Sequence, residues 1–177
     1  MRVEITDAKI RHCGQIVRSL RVDHAGILMR MGVPIHRELR YYFDTSYYKR
    51  SAFVDGHLVA VGGCQGSLIS SSGFLWLALS QYALKFPMAV LRYAKREIEY
   101  LAKTKTELLT TLLPDDEPAQ RLAAFLGFEA VDGFGGGRAQ DRRGRGLLMH
   151  HWQSNPELFV AAGAAQQIPV CWRRGEQ

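Results

Sequence analysis

The residues able to do chemistry are scattered along this chain and do not gather into motifs. Cys64 stands near four serines in 67–72, but no base accompanies them, so a nucleophile there lacks its activator. Six histidines, His150 and His151 among them, show neither a helical pair nor carboxylates at ligand spacing, so no metal site is expected. Tyr41, Tyr42, Tyr47 and Tyr48 crowd the end of one segment. They either pack over a sheet with their hydroxyls in water or line a ligand cleft. Residues 135–146 set Arg138, Arg142, Arg143 and Arg145 among glycines against a single acid, Asp141. That composition suits a nucleic-acid backbone. The plainer alternative is a glycine-rich loop between two strands, and no aromatic alternates with these arginines to add stacking.

A sheet must position whatever these residues do. The stretch 74–128 reads as strand, helix, strand, helix, strand. Residues 74–79 and 108–113 are uninterrupted apolar runs. Between them, 87–103 turns Val90, Leu91, Ala94, Ile98 and Leu101 inward and Arg92, Lys95, Arg96, Glu99 and Lys103 to water. Two such runs joined by an amphipathic helix predict parallel strands covered on both faces, with a right-handed crossover. Pro87 stands at the first helical position, where its missing N–H costs nothing. Residues 114–118 punctuate the chain and open a short helix that stops at Gly127.

Upstream, 2–5 reads as a strand, and Thr6 or Asp7 as the cap of a helix bearing Ile10, Cys13, Ile16, Val17 and Leu20 on one face. A second helical region runs over 22–48, interrupted at Gly32-Val33-Pro34. Asp55-Gly56 between apolar runs predicts a hairpin joining 51–54 to 57–62. Gly62-Gly63 suggests a bulge or a close backbone approach. Downstream, 128–131 is a strand with 147–152 as its partner, 155–166 a last helix, and 168–177 a tail without periodicity.

The totals set outer bounds. A chain of 177 residues suits one domain, 1–153, with an extension over 154–177. A net charge of +6 favours an anionic partner. No apolar run approaches ~20 residues, so no membrane span is expected. The N-terminus lacks a signal peptide's apolar segment, which points to a cytoplasm. Cys13, Cys64 and Cys171 form no CxxC pair and are expected as reduced thiols.

The order strand, two helices, three strands, helix, strand, helix, two strands resembles the GNAT superfamily of N-acetyltransferases. The residues behind the resemblance are the hairpin Ala52-Phe53-Val54-Asp55-Gly56-His57-Leu58-Val59-Ala60, the strand Phe74-Leu75-Trp76-Leu77, and Ala119-Gln120-Arg121-Leu122-Ala123-Ala124-Phe125-Leu126-Gly127-Phe128. It spans roughly residues 2–152. It implies an α/β (α+β) fold: a mixed central sheet of about seven strands with helices on both faces. The spacing of Trp76, Pro87, Arg92 and Leu126-Gly127-Phe128 is similar to that of small divergent GNAT-like proteins of tailed bacteriophages. Some of those are acetyltransferases, and others resemble internal virion proteins of short-tailed phages.

GNAT enzymes hold the diphosphate of acetyl-CoA on backbone N–H groups at the start of the central helix, through Q/R-x-x-G-x-G/A. The matching segment here, Gln81-Tyr82-Ala83-Leu84-Lys85-Phe86-Pro87, keeps Gln81. Leu84 and Phe86 take the small-residue positions, and Pro87 lacks a donor. A leucine side chain there is expected to fill the phosphate's space, leaving Lys85 or Arg92 as point charges. If acetyl-CoA binds, Leu79, Gln81, Lys85 and Arg92 are the residues expected to hold it. The family's frequent glutamate base has no counterpart between 74 and 85, and its frequent tyrosine acid is matched by Ala123. The asparagine often found at the start of the last helix gives way to Asp115-Asp116, whose carboxylates read as helix caps. No catalytic residue is assigned.

The resemblance therefore implies a GNAT-fold protein with a degenerate acetyl-CoA site and no cofactor. It would serve as a structural or assembly component of a phage particle, with other phage structural proteins as partners, in the bacterial host cytoplasm or the virion. Two alternatives stay open. One is an active N-acetyltransferase using acetyl-CoA. The other is a nucleic-acid-associated protein contacting DNA through residues 133–146.

Overall fold

The computed structural model describes residues 2–130, except 31, 33 and 114, together with residues 168–174. Asp55 (φ 48°) and Gly56 (φ 81°) both take the left-handed conformation that a two-residue hairpin turn demands. They join β2 (Ser46–Val54) to β3 (His57–Gln65). Asp55 Oδ1 accepts from the Arg2 N–H at 2.7 Å, at the end where β1 (Val3–Asp7) lies antiparallel along β2. β4 (Ser72–Leu79) runs antiparallel to β3, and β5 (Glu107–Leu112) runs parallel to β4, as the two apolar runs predict. Among the described residues the sheet has seven strands, in the order β1-β2-β3-β4-β5-β7-β6. Here β6 is Glu129–Ala130 and β7 is Ile168–Arg173.

Alternation along β4 assigns the helices to faces. Trp76 and Ala78 pack with Cys13 and Ile16 of α1 (Ile10–Arg18) and Leu39 of α3 (Ile35–Thr45). Leu79 packs instead with Val90 and Tyr93, and Leu75 with Ile98 and Leu101, all on α4 (Pro87–Leu101). A fully buried Val, Leu or Ile side chain in these layers contributes about 1.5–3 kcal/mol. α2 (Val22–Arg30) follows α1 after a short break. α5 (Glu117–Phe125) ends where Gly127 turns left-handed at φ 85°. The Phe128 N–H then donates to the Ala123 carbonyl and the Gly127 N–H to the Ala124 carbonyl, both at 3.0 Å, which completes a Schellman cap.

Three expectations change. Asp7 ends β1 and pairs with Arg50, while Lys9 caps α1. The helical region stops at Thr45, so Tyr47 and Tyr48 are strand residues. Ser46 fixes that switch: its hydroxyl donates to the Tyr42 carbonyl at 2.6 Å and accepts from Trp76 Nε1 at 2.7 Å. Gly62-Gly63 marks a close approach, since a Cβ at Gly63 would sit 2.6 Å from the Tyr48 carbonyl oxygen. The irregularities of register fall on either side of this pair, at Tyr47 in β2 and at Val59 in β3. Finally, the aperiodic tail contains β7, which pairs antiparallel with both β5 and β6, so a boundary at 153 separates this strand from the sheet it joins. Pro169 hides its pattern, and a proline is tolerated near a strand's start. The expected partner strand 147–152, the helix 155–166 and the arginine segment lie outside the described residues. No helix among the described residues is long and apolar enough to cross a membrane.

Candidate functional site: the cleft between β4 and β5

β4 and β5 pair over only three positions, Ser72 with Glu107, Gly73 with Leu108 and Phe74 with Leu109. One step further, the Thr110 hydroxyl donates to the Leu75 carbonyl at 2.8 Å. The strands then part, and a cavity of about 290 Å³ opens between them. Leu75, Leu77, Ile98, Leu112 and Leu126 give it an apolar wall. Charged and phenolic groups stand at its ends.

At the wide end Arg21 spans the gap. Leu20 forms an isolated bridge to Ser80, and the Arg21 N–H donates to the Leu79 carbonyl at 3.2 Å, anchoring this residue to β4. Its guanidinium reaches the other bank, where Nη2 meets Asp116 Oδ1 at 2.6 Å, while Nε meets Asp23 at 2.9 Å. Asp116 is 2% exposed and is the cap of α5, accepting from the Ala119 N–H at 3.1 Å. Its second oxygen meets His24 Nδ1 at 2.7 Å. Burial pushes this carboxyl up, but the bonds from His24 and Arg21 and the Arg21 charge outweigh it and hold it at about 2. An ionised carboxylate only accepts, so His24 Nδ1 carries the hydrogen and Nε2 is left to take or give a proton.

Glu38 faces the same end. Burial lifts its carboxyl above the usual range, against the opposing effects of the Tyr42 hydroxyl, which donates to it at 3.0 Å, and of His24. At the other end Tyr48 donates to Glu97 at 2.6 Å and accepts from Arg50 Nε at 3.2 Å. Burial first, and then the bond to Glu97, raise that phenol to about 12. Of the four tyrosines, Tyr42 and Tyr48 line the cleft, and Tyr47 donates to Cys64 Sγ at 3.3 Å. Burial raises the Cys64 thiol, which argues against a nucleophile.

A histidine oriented by a buried carboxylate and a carboxyl raised by burial are components of acid–base chemistry. The sequence offered no sign of them. Arg21 and His24 lie 95 and 92 positions from Asp116, and local spacing cannot relate them. Asp115-Asp116 as a capping region is correct for Asp116, which does more than cap.

The segment expected to cradle a diphosphate has a different geometry. Gln81–Lys85 is a 3₁₀ turn. Three N–H groups of this segment have carbonyl acceptors: Gln81 donates to Ser19 at 2.7 Å, Ala83 to Ser80 at 3.0 Å, and Phe86 to Ala83 at 3.1 Å. At the start of α4, Ala89 and Val90 both donate to the Phe86 carbonyl, and Pro87 has no hydrogen to give. The steric expectation is corrected here. Leu84 is 64% exposed and points away, Phe86 packs with Val54, Ala83 and Val90, and neither lines the cleft. The gap is open. Among the expected cofactor residues only Leu79 lines the cleft. Gln81 is exposed, Lys85 lies over the Tyr82 ring at 5.8 Å, and Arg92 is exposed on α4. The open gap is wide enough for an extended arm, and at the loop the Gln81, Ala83 and Phe86 amides already have carbonyl acceptors. Among the described residues no cluster of metal-ligating side chains occurs. Arg138, Arg142, Arg143 and Arg145 lie outside them.

No protein-family profile and no curated protein matches this sequence. Solved structures match in shape. The ribosomal-protein-S18-alanine N-acetyltransferase of Escherichia coli is 13% identical, with a TM-score of 0.60, over 99% of this chain and 98% of that one. The PaiA N-acetyltransferase of Thermoplasma acidophilum, in complex with coenzyme A, is 12% identical, with a TM-score of 0.60, over 98% of this chain and all (100%) of that one. N-acetylglutamate synthase of Neisseria gonorrhoeae, complexed with coenzyme A and N-acetyl-glutamate, is 15% identical, with a TM-score of 0.61, over 99% of this chain and 36% of that one. With its strand order and splayed central strands, this chain has the GNAT N-acetyltransferase fold.

Proposed function

We propose that this chain is a GNAT-fold protein with a degenerate acetyl-CoA site, and that it serves as a structural or assembly component of a phage particle. One observation carries the first half: the amides of Gln81, Ala83 and Phe86 already have acceptors, and Pro87 has no N–H. A diphosphate held by amides would have to unwind that turn first, and helix-terminal donors act on an anion only when they point at it. The second half rests on the similarity of the Trp76, Pro87, Arg92 and Leu126-Gly127-Phe128 spacing to the phage proteins. Mass spectrometry of purified particles of the source phage tests it. Stoichiometric recovery of this chain is expected, and its absence from particles, with presence only in the lysate, contradicts the assignment.

A second reading, an active N-acetyltransferase, is favoured by His24 and Glu38 at the wide end of the open cleft. On that reading Glu38 or His24 Nε2 takes the proton of an amine. Its test is release of free thiol from acetyl-CoA with a panel of amines. Turnover abolished in E38Q and H24Q supports this reading over the first, and no thiol release above the blank removes it.

A further inference from the structure

We infer that the outer face of α4 is a docking surface for the phosphate backbone of a nucleic acid. Lys85, Arg92, Lys95, Arg96 and Lys103 are all exposed along this helix and its flanks, and Glu99 is the one exposed acid among them. The other carboxylate of the helix, Glu97, turns inward to the Tyr48 hydroxyl. Elsewhere, bases and acids four residues apart on a helix pair with each other, as Arg40 does with Asp44 and Arg121 with Glu117. Here Glu99 lies four residues from both Lys95 and Lys103, yet among the described residues none of the five bases enters an ion pair. Arg92 stands three and four residues from Lys95 and Arg96, a spacing at which like charges repel. A polyanion laid along the face relieves that repulsion and releases its own counterions.

Two details favour nucleic acid over an anionic membrane. Tyr100 is 50% exposed within the basic stripe, stacked on Tyr48 with Lys103 Nζ 5.7 Å from its ring, which offers a face to a base. The exposed apolar residues Leu84 and Met88 stand only at the helix start, so the stripe lacks an apolar side to sink into lipid. The stretch from Arg92 to Lys103 is about 16 Å long at ~1.5 Å per residue, enough to meet two or three successive phosphates of one strand. This surface uses none of residues 133–146, and it does not depend on whether the chain resides in a particle.

The experiment is fluorescence anisotropy of the full chain with a labelled 20-base-pair DNA duplex and a 20-nucleotide single strand, each titrated across potassium chloride. For R92Q/K95Q/R96Q the slope of log K against log salt should flatten by nearly three units, at about 0.9 per lost contact, with affinity at least about tenfold weaker in 0.1 M salt. R11Q/R18Q/R37Q removes equal charge from α1 and α3, on the other face of the sheet, and should change both quantities little. Y100A should weaken the single strand more than the duplex. The inference is overturned if the wild type binds neither probe, or if the two triple variants lose affinity equally. It is also overturned if only R138Q/R142Q/R143Q/R145Q loses binding, or if phosphatidylserine vesicles are bound in preference to DNA.

Discussion

The cleft between β4 and β5 and the turn at Gln81–Lys85 are neighbours on one strand, and they differ in kind. The cleft is open space, with the side chains at its ends held in place: Arg21 across the gap, Asp116 buried beneath it, His24 and Glu38 beside it. At the turn, the amide hydrogens of Gln81, Ala83 and Phe86 are committed to carbonyls. The sheet holds the cavity open, whereas the Gln81, Ala83 and Phe86 amides bond carbonyls of the chain itself.

The largest effect is expected at the crossbar. D116A leaves the buried Arg21 guanidinium with Asp23 alone, strands His24 and uncaps α5, which should cost about 3–5 kcal/mol in urea unfolding. A loss below ~1 kcal/mol would mean that the gap is held by packing and not by charge. The same carboxylate sets a pH signature. Its folded pKa of about 2 lies below the unfolded value near ~3.9, so its stabilisation is complete above about pH 4 and lost as pH falls toward 2. D116N should lose that acid limb. G63A tests the narrow side, because its Cβ would lie 2.6 Å from the Tyr48 carbonyl and 2.9 Å from Trp76 Nε1, and one of the two must move. About 1–3 kcal/mol is expected, read as a lowered melting temperature. T110V removes the bond that follows the last ladder pair and should cost about 1 kcal/mol. The smallest effect belongs to the turn. P87A returns the missing N–H but leaves the Gln81, Ala83 and Phe86 amides with their acceptors, so acetyl-CoA should shift the melting temperature of neither P87A nor the wild type.

Much of the scaffold was legible in the sequence because local rules govern it. Asp55-Gly56 admits one kind of turn, the runs at 74–79 and 108–113 admit parallel strands, and Gly127 ends a helix by conformation alone. The site was less legible because long-range contacts make it. Nothing near Arg21 announces that its amide will bond β4 while its guanidinium crosses to α5. The loop lay between these extremes. Leu84 and Phe86 were expected to fill the phosphate's space; instead one faces solvent and the other joins the core, placements that tertiary packing decides and spacing does not show.

Calorimetric titration of the wild-type chain with coenzyme A at neutral pH addresses the amides of Gln81, Ala83 and Phe86 most directly. No saturable heat up to 1 mM ligand is expected, roughly the level at which binding would contribute no more than ~4 kcal/mol. A micromolar Kd, accompanied by altered exchange of the Ala83 and Phe86 amide hydrogens, would contradict the proposal that the turn has abandoned the diphosphate.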